Sequence, residues 1–293
     1  MKKFVITIVA FIVAATAVAQ NTDSLTFVKA PRDLFSLDKG AEGYTLKAVE
    51  IFSSRQTISV IRYSPKRFIT SIVLPEKRNR LSVTASAAGG DFGVNAGYWD
   101  VAIDRPSAFL RLGGKTLFAT ADFEKERVDG LVCIARKGVV VDCCKAGEEA
   151  RYADKYDNIL ASGPMLIDEG RSIDHSHYTA TMVEATHGKD FGAYYTYIRR
   201  HPRTVIGTDK RGNIYLVVVD GRAKGLAEGV TIEELTRICE WLGLTDAINL
   251  DGGSSSTMWS AREGVLSYPC RNKKFDHEGE RKVSSCIVAK SKK

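Results

Sequence analysis

Cysteine and histidine are scarce in this chain, and it has no C-x-x-C pair. Six cysteines and five histidines are spread over 293 residues. Structural zinc sites pair such residues at short, regular spacings, and small disulfide scaffolds use many more cysteines for their length. The sequence therefore excludes a disulfide framework and gives no zinc signature, although individual cysteines could pair in an oxidising compartment.

Long apolar runs are missing after the N-terminus. The one such run, Phe4 to Val18, follows two lysines and ends in the small-x-small pattern of Ala17 to Ala19. This arrangement is typical of a signal peptide, so we expect residues 1–19 to be removed and an exported protein, periplasmic or secreted, to begin near Gln20. An uncleaved membrane anchor is the alternative. No later segment approaches the roughly 20 apolar residues that span a bilayer.

Blocks of basic residues are absent as well. The net charge is +7, and loss of Lys2 and Lys3 with the signal peptide lowers it to +5. No Lys/Arg block or basic-aromatic repeat indicates a nucleic-acid partner. The remaining positive charge favours an anionic glycan or sugar-phosphate substrate, or an envelope polymer, although it could also serve solubility alone. The sequence does not indicate an oligomeric state.

About 274 residues would remain after cleavage, enough for one domain with a sizeable core. Residues 20–43 lack sustained periodicity and are expected to form a leader segment, followed by a single domain over residues 44–293. A short helix is predicted at residues 80–88. Runs rich in Val, Ile and Thr predict strands. The predicted strands are Thr45 to Ile51, Thr57 to Tyr63, Phe68 to Leu74, Gly130 to Arg136, Gly138 to Cys143, Thr204 to Thr208, Ile214 to Asp220, Ala247 to Leu250 and Ser284 to Ala289.

The stretch 213–251 gives the clearest prediction of architecture. Ile214 to Val219 is a nearly continuous apolar run, which is typical of a strand covered on both faces. Thr231 and Glu234 have the spacing of a capping box at the start of an amphipathic helix. A second strand, Ala247 to Leu250, follows that helix. We therefore predict a βαβ unit with parallel strands and a right-handed crossover. The predicted fold class is α/β with α+β character, in which helices flank a mixed central β-sheet.

Two aspartates follow the two strands of this predicted unit. Asp220 ends the first strand and precedes Gly221 and Arg222, and Asp251 ends the second. Parallel strands would bring both carboxylates to one edge of the sheet, where ligands of open α/β sheets commonly bind. Tight turns and a solvated arginine are the alternative reading. The residues that follow Asp251 could turn tightly and offer hydroxyls to an anion: Gly252, Gly253, Ser254 and Ser255.

Five blocks of sequence follow one another in a distinctive order. They are Asn95 to Asp100, Ala161 to Leu166, Pro202 to Asp209, Val219 through the helix to Thr257, and Gly279 to Val283. In this order they resemble the phosphodiester glycosidase domain family, and the resemblance as a whole covers about residues 57–288. The resemblance implies hydrolysis of the bond between the anomeric carbon of a sugar and a phosphodiester, as in a GlcNAc-1-phosphodiester, with a phosphomonoester as the second product.

The chemistry of this reaction suggests roles for residues within those blocks. The phosphate gains negative charge as it leaves, and arginine pairs well with phosphate, so Arg203, Arg222 and Arg281 are the candidate phosphate ligands. Glycosidases commonly use two carboxyl groups. We expect Asp251 to act as nucleophile or base, with Asp220 in support. Whether the reaction retains or inverts the anomeric configuration is left open.

Other roles are less specific. His201 could protonate the leaving oxygen or only cap a turn. Asn95 could donate to a sugar hydroxyl or phosphate. Tyr98 or Trp99 could stack on a sugar ring, or the two could form an aromatic corner of the core. Oxygen ligands would suit Ca²⁺ or Mg²⁺, although no dedicated metal motif is present. His175, His177 and His187 show no recognisable metal-ligand spacing.

Two alternatives to this hydrolase differ in plausibility. A serine hydrolase would need a G-x-S-x-G nucleophile motif, which the glycine-serine stretch after Asp251 does not contain. A non-catalytic protein that binds an envelope glycan is the stronger alternative, because the same arginines and aromatic residues could hold an anionic polymer without cleaving it.

Overall fold

The computed structural model describes residues 22–176 and 197–292. The expected signal peptide, residues 1–19, lies outside these ranges, and so do His177 and His187. No helix within the described ranges is long and apolar enough to cross a bilayer.

Strands dominate the described chain. Helix α1 covers residues 22–29, α2 is Leu81–Ala87, and α3 is Ile232–Trp241. The strands are β1 (Asp33–Leu34), β2 (Ala41–Ile51), β3 (Ser54–Tyr63), β4 (Phe68–Val73), β5 (Asn79–Arg80), β6 (Phe92–Asn95), β7 (Trp99–Asp100), β8 (Arg105–Pro106), β9 (Leu110–Leu112), β10 (Lys115–Phe118), β11 (Gly130–Ala135), β12 (Gly138–Cys143), β13 (Asn158–Ser162), β14 (Met165–Asp168), β15 (Arg171–Ser172), β16 (Arg203–Asp209), β17 (Ile214–Val219), β18 (Leu244–Asn249), β19 (Met258–Ser260), β20 (Gly264–Val265), β21 (Lys282–Val283) and β22 (Cys286–Ser291).

An eight-stranded sheet forms the centre of the protein, in the order β1-β2-β3-β17-β16-β18-β14-β15. Its strands β17 and β18 are buried on both faces. Leu216 and Val218 face one hydrophobic core, whereas Val217 and Val219 face another. This double burial explains the continuous apolar run of β17.

Helix α3 covers one face of the central sheet. The predicted capping box is present: the Thr231 hydroxyl accepts from the Glu234 amide at 3.2 Å, and the Glu234 carboxylate accepts from the Thr231 amide at 3.0 Å. Ile238 packs in the same core as Phe27 of α1. Part of the expected leader segment therefore belongs to the packed structure, since α1, β1 and the start of β2 precede residue 44.

Two five-stranded sheets cover the opposite face. Their orders are β10-β9-β13-β11-β12 and β20-β19-β6-β22-β4. Val94 of β6 and Leu160 of β13 pack in one core with Leu216 and Val218 of the central sheet. The central sheet is thus enclosed between helix α3 and these two further sheets.

The predicted α/β fold class is wrong. Every strand pairing within the described residues is antiparallel, so the protein is β-rich and its central sheet is not the mixed, helix-flanked sheet of an α/β fold. A continuous apolar run shows that both faces of a strand are covered, and here β-sheets supply the second cover. The run in β17 therefore carried no information about parallel pairing.

The predicted βαβ unit is interrupted by another strand. β17, α3 and β18 follow one another along the chain, but β16 lies between the two strands and pairs antiparallel with both. Two strands that are each antiparallel to a third run in the same direction. The carboxyl ends of β17 and β18 therefore still meet at one edge of the sheet, separated by the start of β16.

Replacement of Thr231 by alanine tests the importance of the capping box. We expect the free energy of unfolding to fall by about 1 kcal/mol, because an amide at the start of α3 loses its acceptor. Urea unfolding of Thr231→Ala and of the conservative variant Thr231→Ser measures the effect. Serine should keep most of the stability, and equal midpoints for alanine and wild type would contradict the role of the cap.

Candidate active site

The candidate site lies at the edge of the central sheet where β17 and β18 end. Asp220 follows β17, Asp251 lies two residues beyond β18, and Pro202 precedes β16 between them. The amide of Asp251 donates to the carbonyl of Ala96 at 2.9 Å, which joins the end of β6 to this edge. We call this edge the rim.

Asn95 connects the parts of the rim. Its Nδ2 donates to the carbonyl of Asp251 at 2.6 Å, and its Oδ1 accepts from the Thr204 hydroxyl at 2.8 Å and from the Thr257 amide at 3.0 Å. The side chain is fully buried. The structure therefore places Asn95, which was expected to contact substrate, under Asp251 as a positioning residue.

Tyr98 is also used within the protein. It is buried, and its hydroxyl donates to the carbonyl of Gly163 at 2.6 Å and accepts from Nδ2 of Asn249 at 3.1 Å. Burial raises the pKa of Tyr98, so the phenol stays neutral. It supports the Gly163 turn from inside instead of offering a ring face to a sugar.

The loop after Asp251 is shaped by its two glycines. A side chain at Gly252 would place its Cβ 2.8 Å from the carbonyl oxygen of Pro202. Gly253 has φ of 64° and donates to that same carbonyl at 2.8 Å. Residues Gly253–Ser255 then form a short 3₁₀ turn. Because the backbone folds back on Pro202 here, Ser254 and Ser255 are held beside Asp251.

Arg281 holds the hydroxyl groups of this loop. Its Nη1 donates to the hydroxyl of Ser254 at 3.1 Å and to that of Ser255 at 3.5 Å. Gly279 fits within the turn before it because a Cβ there would lie 1.8 Å from the Pro269 carbonyl oxygen. Glu280 accepts from the amide and the hydroxyl of Ser82 at 2.7 and 2.6 Å, which fixes the segment on helix α2.

The carboxylate of Asp251 is half-buried among positive groups. Burial raises its pKa to about 6, while a hydrogen bond from Ser255 and the guanidinium groups of Arg127 and Arg281 oppose that rise. A carboxyl group with such a pKa is largely ionised at neutral pH but exchanges protons readily. Asp251 therefore has the protonation behaviour that a nucleophile or general base requires.

Arg127 was not identified from the sequence. Its guanidinium carbon lies 3.8 Å from the centre of the Tyr98 ring, and its Nη2 donates to Oε1 of the buried Glu124 at 2.7 Å. The Glu124-x-x-Arg127 spacing could have indicated a local ion pair. Nothing in the sequence connects that pair to Asp251, because the connection exists only after the start of β11 and the end of β18 are brought together.

The predicted phosphate ligands divide into two kinds. Arg203 is buried and donates to the carbonyls of Val230 at 2.9 Å and Arg199 at 2.8 Å, so it holds backbone segments together. Arg222 is exposed, and its Nη2 lies 3.1 Å from the position that a Cβ on Gly253 would take. Arg222 and Arg281 therefore reach the serine loop, whereas Arg203 donates to backbone carbonyls.

Residues 88–290 match the family described as phosphodiester glycosidase. The chain belongs to the phosphodiester glycosidase family. The chain is also 24% identical over 258 residues to the N-acetylglucosamine-1-phosphodiester alpha-N-acetylglucosaminidase of Bos taurus. The aligned region covers 87% of this chain and 45% of that protein. The chain thus spans less than half the length of this relative.

Solved structures show the same fold. The catalytic domain of zebrafish N-acetylglucosamine-1-phosphodiester alpha-N-acetylglucosaminidase, auto-inhibited by its pro-peptide, aligns with a TM-score of 0.66 at 15% identity over 94% of this chain and 92% of that one. A Synechocystis protein described as hypothetical aligns with a TM-score of 0.61 at 14% identity over 88% of this chain and 63% of its own.

His201 does not have the pKa of an acid catalyst in this phosphodiester glycosidase. Burial, together with the guanidinium groups of Arg203, Arg222 and Arg199, lowers its pKa to about 4. The imidazole is therefore neutral at pH 7. The His201 backbone exchanges hydrogen bonds with Val230 at 3.1 and 3.2 Å, which fits the alternative role at a turn.

Asp220 lies beneath the rim. It is buried, its Oδ1 accepts from the Tyr268 amide at 2.9 Å, and its Oδ2 has no hydrogen-bond partner among the described residues. Burial raises its pKa to about 8. A neutral Asp220 that holds the segment leading to Arg281 has a supporting position and does not offer a charged carboxylate to the substrate.

Metal ligands and disulfides were left open by the sequence. Within residues 22–176 and 197–292, no three His, Cys, Asp or Glu side chains lie close enough together to hold a metal ion. Binding of Ca²⁺ or Mg²⁺ stays an untested expectation. All six cysteines are free thiols, and Sγ of Cys270 lies 3.9 Å from Nη1 of Arg222.

Replacement of Arg127 by glutamine tests its electrostatic effect on Asp251. We expect the pKa of Asp251 to rise above about 6, because the variant removes a positive charge that favours the carboxylate. A ¹³C NMR titration of the carboxyl group measures the shift. Arg151→Gln, which removes an exposed arginine paired with Glu148, is the matched control and should leave that pKa unchanged. An unchanged or lower pKa in Arg127→Gln would refute the interaction.

Replacement of Asp220 by asparagine tests the buried carboxyl group. Its ordinary pKa is 3.8 and its folded pKa is about 8, so between these values the unfolded chain releases a proton that the folded protein keeps. Wild-type stability should therefore decline as the pH rises from 4 to 8, by up to about 1.4 kcal/mol per pH unit.

The amide introduced by this substitution does not titrate. The free energy of unfolding of Asp220→Asn should therefore rise relative to that of wild type as the pH increases from 4 to 8. Urea unfolding at several pH values measures it, with Asp154→Asn as an exposed control. Parallel stability curves for Asp220→Asn and wild type would show that Asp220 is ionised in the folded protein.

Proposed function

We propose that this chain is an exported glycosidase that hydrolyses a sugar-1-phosphodiester of the GlcNAc-1-phosphodiester type at its anomeric C–O bond. The observation that carries the proposal is the half-buried Asp251 carboxylate, which interacts with Arg127, Arg281 and the Ser255 hydroxyl. Family membership supports the reaction class. The sugar follows the name of the bovine relative, and export follows the signal peptide expected at residues 1–19.

The phosphate side of the reaction needs stabilisation of increasing negative charge. A phosphodiester carries one negative charge, and the departing phosphomonoester acquires another. Arg281 donates to the hydroxyl of Ser254 and Arg222 lies close to Gly253, and the guanidinium groups of both arginines can donate paired hydrogen bonds to phosphate oxygens. Donors held in place before the reaction stabilise the leaving group without reorganisation.

The sugar side of the reaction needs one carboxylate. Asp251 either attacks the anomeric carbon or removes a proton from the water that attacks it. In the overall reaction the C1–O bond to phosphate breaks, a hydroxyl from water joins C1, and the other proton of that water is released. A phosphate leaves more easily than a sugar alkoxide, so the reaction does not depend on a strong acid such as a protonated His201.

Buried residues keep these groups in place. Asn95 fixes the backbone of Asp251 through the 2.6 Å hydrogen bond to its carbonyl, and Asp220 fixes the segment that begins at Tyr268. Both act through other residues and are positioning residues in this proposal. Substitution of either would displace the reacting groups, and even small displacements slow reactions that depend on orientation.

A non-catalytic glycan-binding protein would use the same arginines. It would have no need for a carboxylate at the centre of an anion site, because Asp251 repels a bound phosphate. A carboxylate between cations favours catalysis, since the charge that it brings is needed at the anomeric carbon.

Replacement of Asp251 by asparagine distinguishes the two functions. We expect wild type to release GlcNAc from a methyl α-GlcNAc-1-phosphodiester, and Asp251→Asn to lower kcat by about 10²–10⁴-fold, since it removes the base or nucleophile. Sugar release is measured by chromatography, with circular dichroism to verify folding.

Asp154→Asn is the control, because it removes an exposed carboxylate from the segment that precedes β13, at the end of that strand away from the rim. Near-normal turnover by Asp251→Asn would remove Asp251 from the central role. Binding without turnover by wild type across a panel of sugar phosphodiesters would support the glycan-binding alternative.

A further inference from the structure

A second cleft lies beside the proposed site. Its volume is about 340 Å³, and four of its lining residues are cations: Lys77, Arg78, Arg105 and Lys282. Two carboxylates, Glu76 and Asp104, also line it. Asp104 is already paired with Arg78. We call this feature the basic cleft.

Backbone pairing creates this concentration of charge. Strands β5 and β21 pair antiparallel, with Arg80 opposite Lys282. Residues 77–80 and 281–282 are about 200 positions apart in sequence, so the fold, and not a basic run, brings their five cations together. A charged patch that requires a tertiary pairing differs from scattered surface lysines, because the fold holds its cations side by side.

Trp99 connects the basic cleft to the proposed reaction site. The guanidinium carbon of Arg78 lies 3.3 Å from the centre of the Trp99 ring, and that of Arg281 lies 5.5 Å from it. Arg281 also donates to Ser254 next to Asp251. A ligand that reaches from the serine loop past Trp99 would therefore enter the basic cleft.

The positive charge around Arg281 exceeds what one phosphodiester requires. Burial lowers the pKa of Arg281, Asp251 opposes that change, and the guanidinium groups of Arg271, Arg78 and Arg222 lower it further. Asp104 offsets the charge of Arg78 and Asp251 that of Arg281, and the repulsion that remains among the arginines favours the binding of further negative charge. A scissile phosphodiester supplies a single negative charge.

We propose that the basic cleft binds a second phosphate of the same substrate, so that the preferred substrate is an oligomer or polymer of sugar phosphodiesters and not a single sugar-1-phosphodiester. This inference rests on the proposed function for the identity of the first phosphate. Lys77, Arg78, Arg105 and Lys282 would contact the next phosphodiester along the chain, with Trp99 beside the connecting group.

Two ligands and two matched variants test the inference. The ligands are a methyl α-GlcNAc-1-phosphodiester and a trimer of GlcNAc-1-phosphate units joined by phosphodiesters. Lys77→Gln/Arg105→Gln removes two cations of the basic cleft. Lys210→Gln/Arg211→Gln removes one lysine and one arginine from the exposed turn at the opposite end of β16 and is the control. Calorimetry measures binding in an Asp251→Asn background, and sugar release measures turnover in the active protein.

The expected result is selective. The cleft variant should bind the trimer about tenfold more weakly, since hydrogen bonds to charged groups contribute on this scale, and should bind the monomer as before. The control should bind both ligands normally. The protein with the unaltered cleft should bind the trimer more tightly than the monomer. Its affinity for the trimer should also fall more steeply with added salt than its affinity for the monomer.

Three results would overturn the inference. The protein with the unaltered cleft could bind both ligands with equal affinity, the cleft variant could lose the same affinity for the monomer as for the trimer, or the control variant could lose as much affinity for the trimer as the cleft variant does. Failure of the proposed function gives a different result, because the wild-type protein would then release no sugar from either ligand while calorimetry still reports whether the cleft distinguishes them.

Discussion

The hydrogen bonds of one buried side chain, Asn95, hold the proposed site together. Asn95 ends β6 in one sheet, and its amide group reaches Thr204 of the central sheet, the carbonyl of Asp251 and the amide of Thr257. All three partners are more than 100 residues from Asn95 in sequence. A buried amide with several partners fixes their relative positions more narrowly than apolar packing does, because each hydrogen bond restricts both distance and direction.

The arrangement of arginines around this fixed point follows from their burial. Arg203 is buried and donates to backbone carbonyls. Arg281 and Arg222 are more exposed and meet hydroxyl groups or solvent, so their donors can exchange to a substrate. The same residue type therefore serves the fold at Arg203 and is proposed to meet a ligand at Arg222 and Arg281, and position in a motif does not distinguish these cases.

The sequence predicted local features better than the assembly of strands. The capping box of α3 and most strands could be identified because their signals lie within a few residues of one another. The insertion of β16 between β17 and β18 could not, since the apolar run of β17 is compatible with any partner that covers both faces. Asp220 and Asp251 were nevertheless placed at one edge correctly, because β16 is antiparallel to both neighbours and leaves their directions equal.

The residues whose roles differ from expectation share one property: their partners are distant in sequence. Asn95 and Tyr98 appear polar and available in the sequence, yet each has its hydrogen-bonding groups directed at the rim from inside. Arg127 appears to be an ordinary surface arginine, yet its interaction with Asp251 opposes the effect of burial on that carboxyl group. A motif can therefore locate a site, but it does not distinguish the groups that would contact a substrate from the groups that hold those groups in place. That distinction depends on which groups the folded protein has buried, and at this rim the side chains that still reach solvent include Asp251, Arg222, Arg281 and Ser254.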